Sequence, residues 1–160
     1  MGGGILPVSK HNGKIYFLFG LEEYDKTWTD FGGSSESNET PYQTAIREGY
    51  EELDGFLGNK TNLQKTVSKN IILKLQFDNY TTFLFKTPYD EALPYYFNNH
   101  HKFLKTNLPK TINKNGYYEK SSIQWMNIRE IKENISKFRK FYQAIIESIL
   151  ENEDIISDTF

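Results

Sequence analysis

Two apolar runs open the chain, GGILPVSK (3–10) and GKIYFLFG (13–20), joined by the turn KHNGK. Asn-Gly between runs of β-forming residues predicts a tight hairpin. KTWTDF (26–31) predicts a short third strand running into Gly32-Gly33. Thr40-Pro41 then has the form of an N-cap followed by proline at the first helical position. From there Tyr42, Ile46, Tyr50 and Leu53 recur at spacings of four, four and three. That is one stripe of a helix, with Gly55 placed to stop it. NIILKLQF and YTTFLFKT, separated by Asp78-Asn79, predict a second hairpin.

The segment from Pro88 to Gly116 is less regular. Its centre predicts a helix started or interrupted by Pro94 that ends before NLPKTINKNG. SSIQWMNI predicts a late strand, with Trp125 in the core. Arg129 to Leu150 carries an amphipathic helical pattern with a break near Ser136. The acidic stretch 151–160 is expected to fray. No repeat, low-complexity segment or linker interrupts the chain, so residues 1–160 are expected to form a single α+β domain.

Composition narrows the function. The 160 residues suit one core, and 16% aromatic content supplies bulk to fill it. A net charge of −2 gives no global field for nucleic acid or membrane. With no cysteine there is no disulfide-linked partner, thiolate zinc site or thiol nucleophile. No run approaches the ~20 apolar residues of a membrane span, and no secretory leader pattern opens the chain. The expectation is a soluble cytoplasmic protein.

The chemistry concentrates in FGGSSESNETPYQTAIREGYEELDG, Phe31 to Gly55. At roughly 100° per residue, Glu48, Glu51 and Glu52 fall within about a 100° arc of a helix, away from the apolar stripe. Three clustered carboxylates repel one another, and Arg47 offsets only one of them. A hard divalent cation would remove the rest, and Mg²⁺ is held by a few carboxylates together with waters and substrate phosphates. A charged helix face is by default merely solvated. Fixed spacing raises this one above that default: Gly33, five residues, Glu39, seven residues, Arg47-Glu48, two residues, Glu51-Glu52.

That spacing resembles the Nudix box, G-x5-E-x7-R-E-U-x-E-E-x-G-U, with U an aliphatic residue. The late tryptophan strand and terminal helix extend the resemblance over most of the chain. Gly49 departs from it where an aliphatic residue is expected, and Asp54-Gly55 departs where glycine then an aliphatic is expected. The resemblance implies a Nudix-like α/β/α sandwich with a mixed sheet. It also implies metal-dependent hydrolysis of a nucleoside diphosphate linked to another moiety, with RNA caps among the substrates. By the same resemblance Glu48, Glu51 and Glu52 would bind Mg²⁺ or Mn²⁺ and Arg47 would orient them. Glu39 would support the loop or ligate weakly, and Gly32-Gly33 would admit metal and phosphate. The general base would be a box glutamate or a distal acid, for which Glu119 is the candidate.

Other residues carry weaker expectations. Glu22 and Glu23 are weaker alternatives for the general base and otherwise read as solvated turn residues. Tyr24, Trp28 and Tyr95 to Phe97 are candidate stacking surfaces for the substrate. His100 and His101 are expected at the surface and, being adjacent, do not share a helix face. Lys102, Lys105, Lys110 and Lys114 form a loose basic track that an RNA substrate would use. Family resemblance also allows a homodimer. The alternative is a catalytically inactive Nudix-fold module that binds a nucleotide or RNA; such members have usually lost box glutamates, and this chain keeps them.

Overall fold

The alternation in the first two runs sends successive side chains into two different layers. Ile5 and Leu18 enter one core, whereas Leu6, Val8, Phe17 and Phe19 enter the other. Side chains that alternate at period two and are buried on both faces require cover on both sides of a sheet.

The computed structural model describes residues 1–112, 114 and 116–160. Its first half runs β1 (Gly2–His11), β2 (Lys14–Glu22), β3 (Trp28–Thr29), β4 (Phe31–Ser34), α1 (Pro41–Glu52) and α2 (Lys60–Asn70). The second half runs β5 (Ile71–Phe77), β6 (Tyr80–Lys86), α3 (Ala92–Asn107), β7 (Lys120–Asn127), α4 (Ile128–Glu133), α5 (Gln143–Glu151) and α6 (Glu153–Asp158). The sheet is mixed: β1 lies parallel to β6, and every other pairing is antiparallel. On its other edge β1 pairs first with β4, from Gly2 to Ile5, and then with β2, from Val8 to His11. This switch leaves β4, with Gly32 and Gly33, beside the first half of β1 and next to the end of β2.

Helices cover both faces. Leu63 and Val67 of α2 and Phe97 of α3 join Ala45 and Ile46 of α1 over Ile5 and Phe83. Ile145, Ile146 and Ile149 of α5 close the opposite face over Leu6, Phe17 and Leu84. The result is an α/β/α sandwich. Among the described residues no helix is long and apolar enough to cross a membrane.

Besides α2, which the sequence pattern does not predict, two elements differ from the sequence expectation. The acidic tail does not fray: α6 inserts Ile156 into the lower core, and the Lys86 ammonium donates to the Thr159 carbonyl and sits over the Phe160 ring. Its one buried isoleucine is too thin a pattern to outweigh the surrounding acids. The other difference is the end of α1, which stops at Glu52. Gly55 N–H bonds to the Tyr50 carbonyl at 3.3 Å and Asp54 N–H to the Glu51 carbonyl at 3.1 Å. This is a Schellman end whose left-handed residue is Asp54, with φ +52°. The departure from the box thus falls on the cap itself, where Asp is among the few non-glycine residues that visit this conformation readily.

Candidate active site

Thr40 caps α1 with a reciprocal capping box to Gln43, and Pro41 fixes the first turn. Gly49 faces β1, where any Cβ would strike the Ile5 side chain. The space an aliphatic residue would take at position 49 is therefore already filled from β1. With α1 seated this closely, Glu48 lies against β4, and a Cβ on Gly33 would stand 2.7 Å from its carboxylate.

Arg47 gathers the acids on the outer side. It binds Glu39 bidentately, Nε to Oε1 at 2.8 Å and Nη2 to Oε2 at 3.0 Å. Its Nη1 donates to Glu48 at 2.7 Å and to Glu51 at 3.4 Å, and Nη2 donates to the Ser34 carbonyl at 3.1 Å. The hydrogen bonds from Arg47 pull the Glu39 carboxyl down to about 2, and those same acids raise the guanidinium further. Glu39 is thus an ionised counter-charge that ties the loop before α1 to the helix. It does not line the cavity described below.

Glu52 differs from its neighbours. It is 2% exposed, so its turn of the helix faces inward and not the solvent. One carboxylate oxygen accepts from Gly32 N–H at 2.8 Å and stands 3.4 Å from Lys120 Nζ. Lys120, at the start of β7, is fully buried and donates to Glu22 Oε1 and Thr29 Oγ1, both at 2.6 Å. Burial pushes the Glu52 carboxyl well up, opposed by Lys120 and reinforced by Glu22, Glu48 and Glu119. Burial alone would lower the Lys120 ammonium, but Glu52 and Glu22 outweigh it and keep the lysine charged.

Around these groups lies a cavity of about 650 Å³. Glu48, Glu51, Glu52, Arg47, Gly32 and Gly33 line it, joined by Glu22 from β2, Glu36, Glu119 and Arg139. Burial raises the Glu119 carboxyl, and the nearby charges of Glu48 and Glu22 raise it further; burial also raises Glu51. Glu119 is aimed by backbone bonds: its own carbonyl accepts from Glu23 N–H at 2.8 Å, and the preceding Tyr118 N–H donates to Asp54 at 3.1 Å.

Six carboxylates therefore line a cavity with two arginines on its wall and one lysine behind it. Hard oxygen donors in excess of cations are the donor set that Mg²⁺ or Mn²⁺ takes. Among the described residues no three His, Asp or Glu groups converge closely enough to enclose an ion. Arg47 holds Glu48 and Glu51, and Lys120 holds Glu52. The residues fit a divalent cation by the chemistry of their donors and by the lack of a side chain at Gly33, where a Cβ would meet the Glu48 carboxylate.

Several expectations are corrected. Trp28 does not line the cavity; it packs half-buried against the lower core, and its carbonyl accepts from Arg139 N–H at 3.1 Å. Tyr24 does line it, at the rim, 94% exposed. Phe97 is core, and Tyr95 and Tyr96 point to solvent from α3. His101 is buried, its Nε2 3.3 Å from the Tyr118 carbonyl. Glu22 is no turn residue but the buried partner of Lys120. Lys120 and Arg139 escaped sequence reasoning, because β2–β7 pairing and the chain after α4 bring them in from far along the sequence.

Solved structures share this arrangement of elements. A Caenorhabditis elegans Ap4A hydrolase in a binary complex matches over 100% of both chains, with TM-score 0.61 and 18% identity. RenU, a Nudix hydrolase from M. smegmatis, matches over 98% of this chain and 87% of its own, with TM-score 0.54 and 13% identity. A bifunctional NMN adenylyltransferase/ADP ribose pyrophosphatase from Francisella tularensis, complexed with AMP and a manganese ion, matches with TM-score 0.55 and 17% identity. That match covers 94% of this chain and 41% of that one. No family model and no curated protein sequence matches the chain. At these identities the likeness is one of fold: the chain has the Nudix-like α/β/α sandwich fold.

Proposed function

We propose that the protein is a divalent-cation-dependent hydrolase that cleaves a diphosphate linkage in a nucleotide derivative. The observation that carries this reading is the excess of carboxylates facing Gly32 and Gly33 across the cavity. Glu48, Glu51 and Glu52 would hold Mg²⁺ or Mn²⁺. The bound ion would neutralise diphosphate charge and make a water nucleophilic near neutral pH.

The protein's own groups do the rest. Gly33 leaves the Glu48 carboxylate room against the backbone, and Lys120 opposes the rise that burial imposes on the Glu52 carboxyl. Arg47 holds Glu48 and Glu51 on the cavity side. Glu119, its carboxyl raised by burial and by the charges of Glu48 and Glu22, takes a proton from the attacking water. The water oxygen bonds to phosphorus, the bridging P–O bond breaks, and two phosphate-bearing products leave. An RNA cap draws little support, since Lys102, Lys105, Lys110 and Lys114 do not line the cavity and Lys105 pairs with Glu23 at 2.7 Å.

A second reading is a nucleotide-binding module without turnover. The engagement of Glu39, Glu48 and Glu51 by Arg47, with no three acids converged among the described residues, favours it. One panel separates the two: dinucleoside polyphosphates, ADP-ribose, nucleotide sugars and capped RNA, each with Mg²⁺, Mn²⁺ or EDTA. We expect cation-dependent release of a nucleoside phosphate from at least one compound, abolished in Glu51→Gln. Nucleotide binding without turnover of any member would select the module.

A further inference from the structure

We propose that a second cavity, abutting the acid site across β4, binds the nucleobase of the substrate. This rests on the hydrolase reading only for what lies at its phosphate end. The cavity is about 340 Å³ and shares Gly32, Gly33, Ser34 and Arg139 with the acidic one. A ligand crossing the edge of β4 would therefore touch both.

Its walls are aromatic. Phe77, at the end of β5, and Phe141, in the 3₁₀ turn Lys140–Tyr142, are each 43% exposed. Tyr80 stands opposite Phe77 in the β5–β6 register and meets Phe141 edge to face at 5.4 Å. Its hydroxyl donates to buried Asp30 at 2.7 Å, so this wall is fixed in place. Single exposed phenylalanines are ordinary on a protein surface. Two of them, with an anchored tyrosine, around one cavity that shares residues with the acidic one form a stacking surface.

The polar groups suit the same occupant. Asn79, in the β5–β6 turn, lines the cavity and offers an amide donor and acceptor to a base edge. Arg139 lies between the two cavities, with its guanidinium held by Asp25 at 3.0 and 3.2 Å. A fixed cation there would receive the phosphate next to the base. The occupant is thus a planar heterocycle joined to a phosphate, a nucleotide and not a lipid or peptide.

Calorimetry with the four common nucleoside 5′-monophosphates and with ribose 5-phosphate, in Mg²⁺, tests this. For at least one nucleotide, Phe141→Ala and Phe77→Ala should each raise Kd on the order of tenfold, the effect of losing one stacking partner. Ribose 5-phosphate binding should not change, and Phe141→Trp should bind the nucleotide as the wild type does. Both rings are partly exposed and lie on different elements, so either variant carries the test if the other fails to fold. The proposal is overturned if no nucleotide binds more tightly than ribose 5-phosphate, or if the alanine variants bind nucleotides unchanged. A Phe141-dependent affinity without turnover of any diphosphate would leave the subsite standing and remove the hydrolase reading.

Discussion

Lys120 is the residue on which the inner half of the site depends. It is the cation for two buried carboxylates, Glu22 and Glu52, and removing one member of such a cluster leaves charge uncompensated. Lys120→Met should destabilise the fold by about 3–5 kcal/mol, read as a lowered midpoint in denaturant. Asp30 is a third buried acid. Burial lifts its carboxyl from 3.8 to about 6, against hydrogen bonds from Thr82 and Tyr80. Between those values the folded state holds a proton that the unfolded state has released, so stability falls as pH rises from 3.8 to 6. Asp30→Asn, which has no proton to lose, should flatten that part of the stability–pH curve relative to wild type. The difference is up to about 3 kcal/mol. Identical curves would show that Asp30 titrates normally. Glu48 and Glu51 were legible from spacing alone, because a helix converts spacing into a face. The burial of Glu52 and its partner Lys120 were not, because they depend on how β7 pairs with β2.

At the scale of elements, the end of α1 links the helix to the loop that carries Glu119. Asp54 adopts the left-handed cap conformation and also accepts from Tyr118 N–H. Asp54→Asn keeps both the conformational tolerance and the acceptor, and should lie within ~0.5 kcal/mol of wild type. Asp54→Ala loses both and should cost about 1–2 kcal/mol while lowering kcat more than it changes KM. Equal stability and rate in the two variants would remove the linkage. The hairpins, α1 and the β7 strand all followed from periodicity and turn chemistry. By contrast, α2 buries only Leu63 and Val67, and α6 only Ile156, so their patterns hardly rise above polar sequence. Tertiary burial supplies what the local pattern lacks.

For the whole molecule, a net charge of −2 conceals a strongly uneven distribution. Carboxylates from β2, α1 and the segment before β7 meet at one cavity, while the two cores lie above and below the sheet. The two-layer burial matches the near-continuous apolar character of the first runs, which leaves neither face of those strands polar. The neighbouring aromatic cavity was not, since Phe77, Tyr80 and Phe141 come together only through the β5–β6 hairpin and the chain after α4. Such an acidic concentration within a nearly neutral protein is the state that cation binding would relieve, and binding to the folded form alone would stabilise it. Titration of the protein with Mn²⁺, followed by calorimetry, puts this most directly. The wild type should show saturable binding, and Glu48→Gln and Glu51→Gln should each weaken it by roughly tenfold or more while remaining folded. Absence of saturable binding in the wild type, or unchanged affinity in both variants, would contradict the assignment of this cavity as a cation-dependent active site.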